Sequence, residues 1–245
     1  MTTATPLLDQ ETRQKWQALL DTLAAISARH PDAVFASSLA AEDMVLTHAI
    51  IEAGLPIEIF TLDTGRLHPE TLAMVDRIAQ RYGVALRVVH PEPEAVQEHV
   101  ARHGEFAFYD SIELRKACCG IRKVEPLRRV LAGHSAWLTG QHRDQSVTRA
   151  DLQEAEYDRT FGLHKYNPLA SWTDAQVWAV IRARDIPYNP LHDQGYPSIG
   201  CDPCTRAVRP GEHPRAGRWW WEQAASKECG LHESNIRFVK VKENG

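Results

Sequence analysis

The chain has 245 residues, 43% of them apolar and 24% charged, with a formal net charge of −4. That length holds one sizeable α/β domain with a small appendage. The weak negative balance excludes the basic field of a nucleic-acid binder, so no nucleic acid is expected as a partner, and an anionic ligand needs a local cluster of cations.

Residues 1–10 are polar and do not resemble a secretion signal, and no run approaches the ~20 apolar residues of a membrane span. The expectation is a cytoplasmic chain with reduced thiols and no membrane contact. In chain order, Trp16, Leu19, Leu20, Leu23 and Ile26 recur at helical spacing and predict an amphipathic N-terminal helix within residues 1–30. Short apolar runs at 33–36, 57–62, 86–89 and 136–139 read as strands, and helical stretches at 41–52, 69–82 and 124–132 lie between them. This alternation predicts an α/β fold, a parallel twisted sheet with helices on both faces. Such sheets bind ligands at the carboxyl ends of their strands, so the residues after each strand are the candidates. Ser37 and Ser38 follow the first run, and Leu62-Asp63-Thr64-Gly65 closes the second. Gly140 opens a loop that carries Arg143, Gln145, Ser146 and Arg149. Hydroxyls, amides and arginines after a strand suit a phosphate or sulfate, although a solvated loop has the same composition.

Thr173 and Gln176 fit a capping box that opens a further helix. Beyond it, Pro187, Pro190, Gly195, Pro197, Gly200, Pro203, Pro210, Gly211 and Pro214 predict an irregular segment, which in a compact domain commonly serves function or a metal. The chain has five cysteines, none before residue 118. Cys118 and Cys119 are adjacent, and Cys201 and Cys204 form a C-x-x-C within the irregular segment. Four thiolates suit a [4Fe–4S] cluster or a four-thiolate zinc site. Adjacent cysteines on one zinc would be unusual, because their side chains tend to diverge, so the pattern favours the cubane over zinc. Lys116, Arg122 and Lys123 flank the pair and could offset a negative cluster, or could simply be solvated. Cys229, between Lys227 and His232, has no neighbouring cysteine; a lone cysteine is more often a small buried hydrophobe, while Lys227 and His232 would favour a reactive thiolate. Arg206, Arg209, Arg215 and Arg218 accompany Trp219 and Trp220, for which core packing is the simpler reading.

These pieces coincide in one family. The chain resembles the thioredoxin-dependent adenylyl-sulfate reductases, relatives of the 3'-phosphoadenylyl-sulfate reductases. The marks are Ser37-Ser38-Leu39-Ala40-Ala41-Glu42-Asp43, Leu62-Asp63-Thr64-Gly65, the Arg143 to Arg149 loop, Cys118-Cys119 with Cys201-x-x-Cys204, and Lys227-Glu228-Cys229-Gly230-Leu231-His232. The resemblance implies an adenine nucleotide alpha hydrolase-like sheet over 31–225, which includes an irregular cluster-binding segment. A mobile segment, 226–245, then carries the nucleophile. It implies that Cys118, Cys119, Cys201 and Cys204 hold one [4Fe–4S] cluster. Cys229, His232 and Lys123 are implied as catalytic. Ser37, Ser38, Asp43, Leu62, Asp63, Thr64, Gly65, Arg143, Gln145, Ser146, Arg149, Arg215 and Arg218 are implied to bind adenosine 5'-phosphosulfate. The Cys229 thiolate would take the sulfur, release AMP and leave an S-sulfonate, which a separate thioredoxin discharges as sulfite for sulfate assimilation and cysteine biosynthesis. The related ATP pyrophosphatases carry Ser-Gly-Gly-x-Asp at the first turn, and the glycines are missing here, which suits a phosphosulfate better than ATP. A homo-oligomer stays open.

Overall fold

The fold is a computed structural model and describes residues 7–145 and 149–222. Helix α1 (Gln10–Arg29) starts at Asp9, whose carboxylate accepts from Thr12 N at 2.7 Å. Its apolar stripe of Trp16, Leu19, Leu23 and Ile26 is buried. Strand β1 (Val34–Ala36), helix α2 (Ala41–Glu52), strand β2 (Glu58–Leu62), helix α3 (Pro69–Tyr82) and strand β3 (Arg87–Val89) follow. Pro69 sits in the first turn of α3, where its missing N–H costs nothing, and Gly83 closes that helix at φ 70°. Helix α4 (Pro93–His103) and helix α5 (Ile112–Cys119) come next, and a π-helical turn, Gly120–Val124, joins α5 to α6 (Glu125–Leu131). Strand β4 (Ala136–Leu138), the hairpin of β5 (Ala155–Asp158) and β6 (Leu163–Tyr166), and α7 (Asp174–Ala183) complete the regular elements. The Thr173–Gln176 capping box forms as expected.

The sheet order is β3-β2-β1-β4-β6-β5. Five strands run parallel and β5 alone is antiparallel, paired to β6. The hairpin departs from the expected four parallel strands. Its strands, AEYD and LHKY, carry polar residues and give no apolar run; they form an edge whose register the inner strand β4 sets through Trp137 opposite Lys165. An antiparallel strand at the edge of a largely parallel sheet needs burial on only part of its surface.

Side chains alternate across the inner strands, as a period of two requires. Phe35, Ile59 and Leu138 face α1, α2, α3 and α7 in the larger core. Val34, Phe60 and Trp137 face Leu127, Val130 and Leu131 of α6 on the opposite side. The N-terminal helix shares the larger core with α2 and α7. Segment 226–245 lies outside the described residues.

Candidate functional site: an anion cleft joined to a four-thiol cavity

A cleft of about 230 Å³ opens at the carboxyl ends of β1, β2 and β4. The chain leaves β1 to one side and β4 to the other here, the place where parallel α/β sheets expose a crevice. Its walls include Ser37 and Ser38 after β1, Leu62 and Thr64 from β2 onward, and Thr139, Gly140 and Gln141 after β4.

The turn after β1 is strained. Leu39 has φ 63° and is fully buried. This left-handed backbone suits glycine and costs a branched residue free energy, of order 1–3 kcal/mol. The glycines of the related pyrophosphatase turn are absent, yet at Leu39 the backbone adopts a shape open to glycine. Asp43, one turn into α2, ties the turn down: its Oδ2 accepts from Ser38 N at 2.6 Å and from Ser38 Oγ at 2.5 Å. Burial pushes the Asp43 carboxyl up to about 6, against the pull of the Ser38 hydrogen bonds and the Gly140 N–H. Gly140 meets Asp43 so closely that a Cβ there would stand 2.0 Å from Oδ1. The turns after β1 and β4 are thus locked through one carboxylate.

A second network braces the loop after β4. The fully buried His142 ring places Nε2 3.2 Å from Glu42 Oε1 and 3.2 Å from Asp174 Oδ1. Burial alone would lower the imidazole, but its hydrogen bonds to Asp174 and Glu42 outweigh it and raise its pKa to about 9. Burial raises the Glu42 carboxyl, and bonds from His142 and Gln145 more than reverse that, leaving it below its usual value. Gln145 Nε2 donates to Glu42 Oε1 at 2.5 Å, while its Oε1 accepts from Arg149 Nη1. Glu42, Gln145, Arg149 and Asp174 all line the cleft.

The four cysteines converge beside it. Cys118, Cys119, Cys201 and Cys204 line one cavity of about 20 Å³ together with Arg66, Arg115, Arg122, Lys123, Arg218, Phe108 and Trp219. The first pair ends α5, where the chain widens into the π-turn that carries Arg122 and Lys123, a rare geometry often found at functional sites. The second pair sits on a 3₁₀ turn, Asp202–Cys204, fixed to the segment after β2. Asp202 N donates to Arg66 O at 2.8 Å, His68 Nδ1 lies 3.3 Å from Asp202 Oδ1, and Thr64 Oγ1 is 3.2 Å from Cys201 Sγ. Tyr109 OH donates to Pro203 O at 2.6 Å. Arg122 Nη1 donates to Thr64 O at 2.8 Å and so joins the π-turn to the same segment. Burial and the neighbouring Cys201 push the Cys204 thiol up to about 12, and burial raises Cys118 as well. Protons would hold on these sulfurs unless a positive group took their place.

Lys123, Arg218 and Trp219 belong to both walls. Arg218 threads between them, with Nη1 donating to Ser198 Oγ at 3.2 Å and to Ile199 O at 3.1 Å. Gly200 permits that path, because a Cβ there would lie 2.4 Å from Arg218 Nη2. Trp219 is buried, as core packing suggests, whereas Trp220 is about half exposed.

Of the residues singled out in the sequence, Ser37, Ser38, Asp43, Leu62, Thr64, Lys123, Gln145, Arg149, Arg215 and Arg218 line the cleft. Asp63, Gly65 and Arg143 do not. Asp63 Oδ1 accepts from Gly65 N at 2.8 Å and shapes the turn after β2; Arg143 Nε donates to Leu152 O at 2.9 Å and braces its loop. Ser146, Cys229 and His232 lie outside the described residues. Sequence reasoning gave no role to Glu42, His142 and Asp174, whose meeting depends on three segments far apart in the chain. It also did not select Arg66 and Arg115, which line the thiol cavity; their only signal was a charge in a helix or a turn.

A switch-point cleft for an anion, walled on one side by four thiols and several cations, defines an α/β nucleotide-type protein with a cysteine-built centre beside its ligand. The phosphoadenosine phosphosulfate reductase domain matches residues 32–207. An adenosine 5'-phosphosulfate reductase from Burkholderia cepacia is 60% identical over 237 residues, 96% of this chain and 95% of that one. Its counterpart from Allochromatium vinosum is 54% identical and covers 88% of this chain and 84% of its own. The chain belongs to the phosphoadenosine phosphosulfate reductase family. A phosphoadenylyl-sulfate (PAPS) reductase from Candida auris, solved as a phosphate complex, superposes with TM-score 0.67 at 27% identity, covering 84% of this chain and all of that one. A Candida glabrata FMN adenylyltransferase shares the fold alone, with TM-score 0.56 at 14% identity over 91% of this chain and 81% of its own.

Proposed function

We propose that the chain reduces adenosine 5'-phosphosulfate to sulfite and AMP with electrons from a thioredoxin, as the enzyme adenylyl-sulfate reductase (thioredoxin). The observation that carries the reading is the shared wall. Lys123 and Arg218 face both the anion cleft and the four-thiol cavity, so a sulfonate seated there lies next to whatever the thiols hold. The names of relatives at 60% and 54% identity support the same substrate.

The cysteine cavity fits a [4Fe–4S] cluster. Among the described residues Arg66 Nε and Arg218 Nε are buried donors with no hydrogen-bond partner, and both arginines line that cavity. Donors and cations facing inward suit a thiolate-ligated group of net negative charge. Four-thiolate zinc fits less well. It would hold its sulfurs about 3.8 Å apart, whereas among the described residues the group whose ligand atoms all lie within 4.8 Å of one another is Glu42, His142 and Asp174, not the cysteines. Cys118, Cys119, Cys201 and Cys204 would hold the cluster, which would supply an electrostatic environment for the sulfonate and be held by the surrounding cations.

This chain's residues then divide the work. Ser37, Ser38 and the backbone of the turn after β1 receive the phosphate, held in shape by Asp43. Arg149, Arg215, Arg218 and Lys123 neutralise the anion and stabilise charge on the departing AMP. The Cys229 thiolate attacks sulfur; an S–S bond forms, the S–O bond breaks, and AMP leaves with the electron pair. A thioredoxin thiolate attacks the Cys229 sulfur, sulfite leaves with its electron pair, and the second thioredoxin thiol closes a disulfide and frees Cys229. Sulfur falls by two oxidation levels and the dithiol supplies both electrons. His232, three residues after Cys229 in the sequence, is assigned to assist it in this reading. Among the described residues no helix is long and apolar enough to cross a membrane, in keeping with a cytoplasmic role in sulfate assimilation.

The test is anaerobic purification, a count of iron, acid-labile sulfide and zinc, and an assay of sulfite release with thioredoxin. About four irons and four sulfides per chain with sulfite formed agree with the reading. Zinc without sulfite overturns it. A higher kcat/KM for the 3'-phosphorylated nucleotide would move the substrate to that relative.

A further inference from the structure

We infer that Glu42 and His142 are positioning residues for Arg149: Glu42 fixes the amide of Gln145 so that its oxygen faces Arg149, and His142 is the buried cation that allows a carboxylate to do this beside an anionic substrate. The inference rests on the sulfonucleotide reading above and adds two residues to it.

The geometry leaves the amide one orientation. An ionised carboxylate only accepts hydrogen bonds, so Glu42 requires the NH₂ end of Gln145, which it meets at 2.5 Å. The carbonyl end is then left for Arg149 Nη1, with His142 N donating to the same oxygen at 3.3 Å. A guanidinium held in this way keeps its fork fixed, which is what bidentate recognition of a phosphate or sulfate needs. A neutral group in place of Glu42 would permit either end of the amide to face Arg149, and the wrong end would set two donors against each other.

Glu42 lines the cleft that Arg149 lines. A carboxylate at the wall of an anion site repels its ligand or takes a proton unless a cation compensates. His142 supplies that cation. Its ring is completely buried, and Nε2 stands 3.2 Å from Glu42 and 3.2 Å from Asp174 at the start of α7. Two other titratable groups lie against this turn: Asp43 is itself acidic and feels the charge of Glu42, and His192 accepts from Ala41 N through Nε2 at 3.3 Å while burial lowers its pKa, so neither supplies the positive charge. Both carboxylates meet the one Nε2–H, and against burial their charge raises the imidazole's pKa to about 9, which puts the second proton on Nδ1, a buried atom with no hydrogen-bond partner among the described residues. The network thus delivers a fixed arginine to the cleft while masking the carboxylate that fixes it.

The test uses the full-length holo chain with Glu42→Gln, His142→Gln and the double variant. KM and kcat for adenosine 5'-phosphosulfate are measured with thioredoxin, and binding of the same nucleotide is measured by calorimetry in a Cys229→Ser background. Glu42→Gln should raise KM and Kd by roughly tenfold, as loss of one charged hydrogen bond predicts, with kcat moving much less. His142→Gln should raise them at least as much, since it exposes the ligand to an uncompensated carboxylate. The double variant should bind better than His142→Gln alone, because both buried charges are gone. Single variants within about twofold of the parent, or losses that simply add in the double variant, would overturn the inference. Should His142→Gln fail to fold, Glu42→Gln alone decides. Sulfite release by the parent is read separately: nucleotide bound without sulfite would sink the reductase reading while the Kd series still judges the network, and no nucleotide binding by the parent would overturn both.

Discussion

A methyl group added at Gly140 strikes the lock between the two turns of the cleft. A Cβ there would lie 2.0 Å from Asp43 Oδ1, 3.1 Å from its carboxyl carbon and 3.2 Å from its backbone nitrogen. Real Cβ atoms do not approach this closely, so something moves. The Asp43 side chain can retreat only by releasing Ser38 N and Ser38 Oγ, now held at 2.6 and 2.5 Å. Overpacking costs about 1–3 kcal/mol and a lost hydrogen bond to a charged group about 1.5–3. Relaxation prevents the two from adding in full, so Gly140→Ala should destabilise by roughly 2–4 kcal/mol. At ~2–4 °C per kcal/mol for a chain of this size, the thermal midpoint should fall by about 4–16 °C. Circular dichroism melts of the holo chain measure this, and calorimetric binding of AMP measures the loosened Ser37-Ser38 turn. Gly120→Ala is the control, because its added methyl meets no heavy atom within 4 Å. A Gly140→Ala midpoint within ~1 °C of the parent, with AMP affinity unchanged, would refute the claim that Asp43 is pinned.

Three further outcomes follow from the same geometry. His142 has its folded pKa raised from 6.5 to about 9, so its contribution to stability is complete below about pH 6.5 and is lost as pH rises through 9. The melting temperature should fall between pH 7 and pH 10 by an amount worth at most about 3 kcal/mol, less for screening at half-exposed Asp174, and His142→Gln should flatten that fall; equal slopes in the two proteins would count against the ion pair. Cys201→Ser should strip the proposed cluster, and an iron count unchanged from the parent would show that Cys201 is no ligand. Thr173→Ala removes the side-chain acceptor for Gln176 N at 3.3 Å and should cost about 1 kcal/mol in urea unfolding, with activity retained; a cost near zero would mean that the cap contributes nothing beyond α7's packing.

Much of this molecule was legible from its residues. Helices α2 and α3 occupy the spans that apolar spacing and Pro69 define, and strands β1 to β4 lie within the apolar runs; for the inner three, β1, β2 and β4, burial on both faces demands such hydrophobic stretches. The Thr173–Gln176 box was readable for a different reason: capping is local chemistry, complete within four residues. The β5–β6 hairpin was not, since a polar edge strand has no such pattern, and neither were α4, which buries no residue, and the π-turn after Cys119.

For the site, residue types near strand ends announced an anion, and four clustered cysteines announced a metal. Tertiary structure decided which of those residues meet. Cys119 and Cys201 are 82 residues apart, and they share a cavity because the 3₁₀ turn is bonded to the segment after β2 while Arg122 ties the π-turn to Thr64. Arg143 and Arg149 look alike in the sequence, yet the first is spent on Leu152 O and the second lines the cleft. The meeting of Glu42, His142 and Asp174 gave no sequence signal, since each is an ordinary polar or charged residue in its own segment, Glu42 standing only as part of a longer motif. Pattern carries local preference and burial; the pairing of distant charges depends on how the crossovers pack, and that is decided only when the sheet closes the distance between them.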